Sequence, residues 1–357
     1  MKALKVTLGV DVSKDDCKCN LSQLTSDLEV KIIASNAFLN TDNGLQELLK
    51  WIRKKHRDAD AKLHVVIEAS GIYHERFALG LQQAGCQVNV VLPNKARKYI
   101  ESVGIKTKND QIDAKGLARM GCEQKLQEWS ALSPFFHKLR TYTRLHEDIQ
   151  QKKTDTANQL HALKHSAVTM KDAIKILQNL LAVFDKELDR VKLLIANHID
   201  SNPTVKKKIE NVCTLKGVAL LTAATVAAET NGFDLIKNIP QLVSYAGYDV
   251  VENQSGKRVG KTKISKKGNS HIRRILYMPA LNMITYKVGS MPLLFERTYN
   301  KHGLKMKSYV AIQRKLLVMI YTLWKKNETF DNDFHKKIST RVEEVVISSR
   351  FCPQESE

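Results

Sequence analysis

A chain of 357 residues with 43% hydrophobic residues, 16 Gly and 7 Pro is too long for one ordinary core and too apolar to be disordered, so two or three folded domains are expected. Its formal net charge of +20 implies a polyanionic partner, nucleic acid before others, because nothing in folding requires such an excess. No run approaches the roughly 18 to 20 apolar residues that span a bilayer, and acidic residues come too early in MKALKVTLGVDVSKDD for a secretory signal, so no membrane role is expected.

In chain order, Leu4 to Val12 reads as a buried strand, with Cys17 to Leu21 and Lys31 to Ala37 completing a hairpin or meander. Asn43 to Lys55 has helical spacing, Leu45, Leu48, Leu49 and Ile52 forming one stripe. Leu63 to Ile67 is a short strand, Tyr73 to Ala84 a helix, and Gly85 a helix stop before the strand Gln87 to Leu92. Strands first, then alternating helices and strands, predict a mixed α/β sheet covered by helices. From Pro134 to Ile199 there is neither glycine nor internal proline, and apolar residues recur at three and four. Long paired helices are expected there, with a break near Lys164–Met170 and an end at Ser201-Asn202-Pro203. Such helices form either an internal antiparallel hairpin or a surface joining subunits. The block from Val205 to Asn332 is expected to be mostly helical, and the tail after Phe351 short, polar and loose.

Six cysteines (Cys17, Cys19, Cys86, Cys122, Cys213 and Cys352) form no CxxC pair and have no histidine at zinc spacing. They read as thiols of a reducing cytoplasm.

Four carboxylates stand out. Asp11 interrupts the apolar run LGVDVS, and Glu68 ends VVIE, each at a cost of several kcal/mol unless compensated. Asp110 and Asp113, in NDQIDAKGLA, are three apart at a helix start and share a face. Asp110 either caps that helix or joins the others. Together the four offer oxygen ligands of the kind Mg²⁺ prefers, enough for ions that clamp the attacking and leaving oxygens of a phosphodiester.

Between Glu252 and Glu296 no acidic residue occurs, while Lys257, Arg258, Lys261, Lys263, Lys266, Lys267, Arg273 and Arg274 crowd together, with His271 among them. Lysine and arginine charge, close backbone approach at Gly256, Gly260 and Gly268, and a following helix make a phosphate cradle. Ser255, in NQSGKRVGK, is either a phosphate hydrogen-bonding group or a nucleophile; no base lies beside it in sequence.

LGVDVSK, IEASGIYHERFALGL, KTKNDQIDAKGLA and SYAGYDVVENQSGKRVGKTKISKKGNSHIRRILYMPAL, in that order and over nearly the whole chain, resemble the insertion-sequence-110 family, the DEDD transposases understood as bridge-RNA-guided recombinases. The resemblance implies a RuvC-like, RNase H-type α/β domain whose metal-binding tetrad is Asp11, Glu68, Asp110 and Asp113. It implies a coiled-coil insertion and a mostly helical C-terminal transposase domain whose catalytic serine maps onto Ser255. The serine would form a covalent link to DNA, with Mg²⁺ (or Mn²⁺) at the tetrad in a composite centre built from different subunits. Donor and target DNA, a non-coding guide RNA and a homo-oligomer, dimer or tetramer, are the implied partners, and a bacterial cytoplasm, at the nucleoid when active, the implied location. Two departures are visible. Ala219 stands where a second glycine is usual in LKGVALLTAA, which weakens the expected backbone contact to phosphate there. KTKND is longer than the commoner KTD form, so Asp110 is placed by its DxxD spacing from Asp113.

The expected domains are 1–133 (RuvC-like), 134–204 (helical), 205–332 (transposase, with the serine) and 333–357 (tail). The expected activity is strand exchange in two transesterifications, with Lys257 and Arg258 neutralising charge on the phosphorane and His271 a phosphate contact. The alternatives are a metal-dependent Holliday-junction-type nuclease using the tetrad alone, and a non-catalytic nucleic-acid scaffold.

Overall fold

The computed structural model describes residues 3–56, 62–105, 107, 109–168, 170–256, 258–260 and 262–331. The chain divides into two compact units, Met1–Ala131 and Leu132–Glu357. The tail expected at 333–357 and Cys352 lie outside the described residues.

The first unit is a mixed α/β sheet. Strands β1 (Lys5–Val12), β2 (Asp16–Leu24) and β3 (Val30–Leu39) run antiparallel, and β4 (His64–Glu68) and β5 (Gln87–Val91) add in parallel on the other side of β1, in the order β3-β2-β1-β4-β5. Four helices cover it: α1 (Asp42–Lys55), α2 (Glu75–Gln83), α3 (Pro93–Ser102) and α4 (Asp110–Glu123). The central strands are buried on both faces, so β1 lacks the polar alternation of a one-sided sheet.

Strand periodicity sorts the faces. Val6, Leu8, Val10 and Val12 of β1, with Val65 and Ile67 of β4, pack in one core with Leu45, Leu48 and Ile52 of α1 and Phe77 and Leu81 of α2. Val66 of β4 joins the opposite core with Tyr99 and Ile100 of α3 and Leu117 and Met120 of α4. The intervening residues of β1, among them Thr7, Gly9 and Asp11, therefore face α4. By the same count Glu68 lies on that face as well.

The second unit opens with two long helices packed on each other, α5 (Pro134–Lys164) and α6 (Lys171–Asp200). Ser133 caps α5 by accepting from the Phe136 amide, with Pro134 in the first turn, where a missing N–H costs nothing. The break between the helices falls at 165–170, as the sequence predicts. On α6 the buried residues are Leu188, Val191, Ile195 and Ile199, all in its second half. In the first half Ile176, Leu180 and Val183 are exposed by 60%, 42% and 54%, so this stripe finds no cover among the described residues.

Helices α7 (Pro203–Cys213), α8 (Leu220–Glu229) and α9 (Ile239–Tyr245) follow. The alanines of α8 (Ala223, Ala224, Ala227, Ala228) are buried in the unit's core and let neighbouring helices approach closely. Next come four two-residue strands, β6 (Val250–Val251), β7 (Gln254–Ser255), β8 (Arg258–Val259) and β9 (Lys263–Ile264). The unit closes with α10 (Ser270–Ile275), α11 (Tyr277–Thr285), α12 (Met291–His302) and α13 (Lys305–Lys326). Among the described residues no helix is long and apolar enough to cross a membrane.

Candidate catalytic site

The acidic group is assembled by one close packing contact. A Cβ at Gly9 would stand 2.1 Å from the Ala114 carbonyl oxygen and 2.3 Å from the Ala118 nitrogen, so β1 and α4 touch backbone to backbone. A Cβ at Gly121 would stand 2.3 Å from the Thr7 methyl. Gly121 thus lies over Thr7 and Ala114 over Gly9, which sends α4 antiparallel to β1. Its first turn, with Asp110 and Asp113, is carried toward the Asp11 end of the strand. Asn109 caps α4, its side-chain oxygen accepting from the Ile112 amide at 2.8 Å. Asp110 is therefore not the cap; it shares the first turn of α4 with Asp113.

Electrostatics reports the same convergence. The Asp11 carboxyl is pushed up to about 6, by burial first and then by the charges of Glu68, Asp110 and Asp113. Four oxygen donors of one charge, with the Lys18 ammonium close enough to feel Asp110, have the chemistry of a hard divalent ion's site. Among the described residues no three His, Cys, Asp or Glu side chains already stand grouped as a bound ion would require. The donor set fits such an ion by type and by mutual repulsion, while a closed cage is not preformed.

Ser255 sits on a ribbon of two short strand pairs. The β6–β9 pair (Val250↔Ile264, Val251↔Lys263) forms its base and the β7–β8 pair (Gln254↔Val259, Ser255↔Arg258) its tip. Gly256, at φ +56°, opens the two-residue turn, the left-handed conformation such hairpins demand. Ser255 is exposed at the end of β7, with Glu252 and Asn253 lying outside any strand between β6 and β7. Arg258 is its register partner, so the two side chains leave one face with Cβ atoms about 5 Å apart. Lys257 and Lys261 lie outside the described residues. Lys263, Lys266 and Lys267 are exposed along the ribbon and its exit.

The remaining basic residues do other work. One Arg273 guanidinium nitrogen donates to the carbonyls of Ala246, Gly268 and Asn269, tying the ribbon's exit to the end of α9. Glu147 of α5 takes both His271 and Arg274. Burial, with the Arg144 charge next, lowers the His271 pKa.

Behind the ribbon lies an ionic knot that the sequence does not announce. Glu229, at the end of α8, is completely buried. It accepts from Arg144 Nε and another Arg144 nitrogen at 2.7 and 2.9 Å and from Asn269 Nδ2 at 2.6 Å, and Arg140 Nε lies 3.2 Å away. Burial alone would raise this carboxyl; the Arg144 hydrogen bond and the Arg140 and Arg144 charges hold it below the usual glutamate value. Asn269 in turn caps α10, accepting from the Ile272 amide, and its own amide donates to Tyr245 O at 2.7 Å. The signal available in the sequence was a lone carboxylate in the small-residue run LLTAATVAAE, the signal that singled out Asp11. Glu229→Ala, which strands two partly buried guanidinium groups, is expected to lower stability by about 3 kcal/mol in urea unfolding, with Glu229→Gln intermediate.

A model of IS110-type DEDD transposases, described as Transposase, matches residues 8–168, and one described as Transposase IS116/IS110/IS902 family matches residues 209–294. Two pilin gene-inverting proteins, from Moraxella bovis and Moraxella lacunata, are each 26% identical over 340 and 336 residues, covering 93% of this chain and 99% of theirs. A Thermus thermophilus RuvC structure matches 35% of this chain and 99% of its own at 10% identity, with a TM-score of 0.27.

Proposed function

Because the chain belongs to the IS110 transposase family, and is a transposase and DNA recombinase enzyme, we propose that it exchanges strands through a covalent bond between Ser255 and DNA. The observation that carries this reading is the ribbon: it presents an exposed hydroxyl at the end of β7, on one face with its register partner Arg258. The Ser255 hydroxyl attacks the scissile phosphorus, the Oγ–P bond forms, the P–O3′ bond breaks, and a proton reaches the departing 3′ oxygen. A 3′ hydroxyl of the partner strand then reverses the step, so resealing needs no ATP. Arg258, with Lys257, stabilises the charge that builds on the pentavalent phosphorus.

Asp11, Glu68, Asp110 and Asp113 would hold the divalent ion, Mg²⁺ or Mn²⁺, which supplies charge neutralisation at the phosphate and a lowered proton affinity for the attacking oxygen. The strand order β3-β2-β1-β4-β5, with carboxylates on β1, β4 and the start of α4, supports an RNase H-type reading of this unit. Partners are donor and target DNA, and a non-coding guide RNA that leaves sequence choice to base pairing. The domain limits 1–133, 134–204 and 205–332 follow the same reading. The test is a denaturing gel of labelled DNA incubated with protein, divalent ion and cognate RNA: a protein–DNA adduct whose linkage maps to Ser255 is expected, and cleavage with no adduct overturns the proposal.

A serine and an acidic group on separate units suit a centre shared between copies. The open stripe Ile176, Leu180 and Val183 of α6 is the surface proposed for joining them. Ile176→Asp with Val183→Asp is expected to lower the mass of the nucleic-acid-bound assembly in sedimentation by about half, while thermal unfolding of the free chain changes by less than about 1 kcal/mol, as for surface changes generally.

A further inference from the structure

The end of the second unit carries a feature that the proposed chemistry does not use. Tyr277 of α11, Tyr309 of α13, and Phe295 and Tyr299 of α12 form a continuous line of rings, with centroids 6.5 Å apart for Tyr277–Tyr309, 5.1 Å for Tyr309–Phe295 and 6.1 Å for Phe295–Tyr299. The last pair is stacked, at 15° between planes. Both ends of the line are open, Tyr277 being 37% and Tyr299 38% exposed, so the rings are not simply core. The same helices leave Met278 and Met306 exposed by 59% and 56%. Glu296 is exposed one turn before Tyr299 on α12, and from Arg297 to Asn327 the sequence has no acidic residue; Arg297, Lys301 and Lys305 are exposed in α12 and at the start of α13, with Lys305 one turn before Tyr309.

Aromatic rings joined in a row, in a stretch where cations outnumber the single carboxylate Glu296, suit one class of partner. A duplex buries its base faces and would use the lysines alone; a protein partner would gain from the cations only if it were itself acidic. An unpaired strand uses both features, its bases stacking on rings while its phosphates meet the lysines. We propose that the ring line of α11 to α13 is a stacking platform for an unpaired nucleic-acid strand. This rests on the chain working on nucleic acid, and not on which group attacks it.

The test uses full-length protein and 12-nucleotide strands, oligo(dT) and oligo(rU), each carrying one central 2-aminopurine whose fluorescence is quenched by stacking. Wild-type protein is expected to quench the probe. Tyr277→Ala with Tyr299→Ala is expected to abolish quenching and weaken single-strand binding about tenfold or more, as loss of stacking under one base or two predicts. Tyr277→Phe with Tyr299→Phe should retain both, and a 20-base-pair duplex should bind all forms alike. The tighter of the two strands names the source as RNA or DNA. Should the double alanine protein lose its fold, Tyr299→Leu, which keeps bulk without a π face, gives the same readout. Unchanged quenching in the alanine or leucine form overturns the platform, as does an equal loss of duplex binding. Either result leaves the Ser255 adduct experiment untouched, and performing the binding in a Ser255→Ala background keeps the two questions apart.

Discussion

Ser255→Ala protein is expected to fold and bind DNA as the parent does, to form no covalent adduct, and to join strands at least about a thousandfold more slowly. The folding half of this expectation follows from exposure: the side chain stands in solvent on a two-residue strand, and removing one oxygen there changes no packing. The catalytic half follows from chemistry, because no other group on the ribbon tip among the described residues is a nucleophile of that kind. Ser255→Cys separates position from chemistry. A thiol at the same place keeps the reach but forms a weaker phosphorus bond, so a trace of adduct is expected. If Ser255→Ala cleaves supercoiled DNA at the parental rate while the acidic variants do not, the enzyme is a hydrolytic nuclease that uses the tetrad alone.

Asp11→Asn gives the second large effect, and it has two signs. Strand cleavage should fall by a thousandfold or more on the scale of lost metal sites (about 4 kcal/mol in the barrier), yet the protein should become more stable. The carboxyl titrates near 6 when folded against 3.8 in the reference chain. The folded state therefore holds a proton that the unfolded state has released between those values. Its favourable contribution is complete below pH 4 and is lost as pH rises through 6. At pH 7 the ionised group costs stability, roughly 1 kcal/mol after allowing for its partial exposure to water. Asparagine removes that cost, so thermal unfolding at pH 7 should rise by about 3 °C, and the difference from the parent should vanish by pH 4. Added Mg²⁺ should stabilise the parent and leave the variant unmoved, a readout independent of activity. A variant that is both inactive and destabilised would mean that Asp11 is a structural residue.

Much of the first unit was legible because its strands are β-branched and bounded by turn residues. Leu4 to Val12, Leu63 to Ile67 and Gln87 to Leu92 agree with β1, β4 and β5 to within about a residue or two. Helix α3 was not, since in PNKARKYIES the apolar stripe is a single turn, Ala96, Tyr99 and Ile100, too short to stand out among four charged residues. The ribbon escaped for a different reason: strands of two residues, rich in lysine and glycine, have no period-2 pattern, and pairing rather than burial defines them. Within the site, Asp11 and Glu68 were visible as charges in apolar runs. The contact that brings α4 to them was written only as Gly9, a glycine inside a strand, which reads equally as a weak spot or as room for a neighbour. Glu147 and Glu229 went unread because their meaning depends on arginine and histidine partners far away in sequence, 85 residues for Arg144 and Glu229 and 124 for His271 and Glu147.

The missing methyl groups at Gly9 and Gly121 set how near α4 lies to the sheet, and through that distance how tightly negative charge is crowded. Filling those gaps, the ordinary route to a sturdier protein, would prise the helix off its seat and dilute the crowd that draws a cation in. A more heat-resistant form of this enzyme will therefore have to be sought in its other half, because at this seam robustness and activity are set by the same few ångströms.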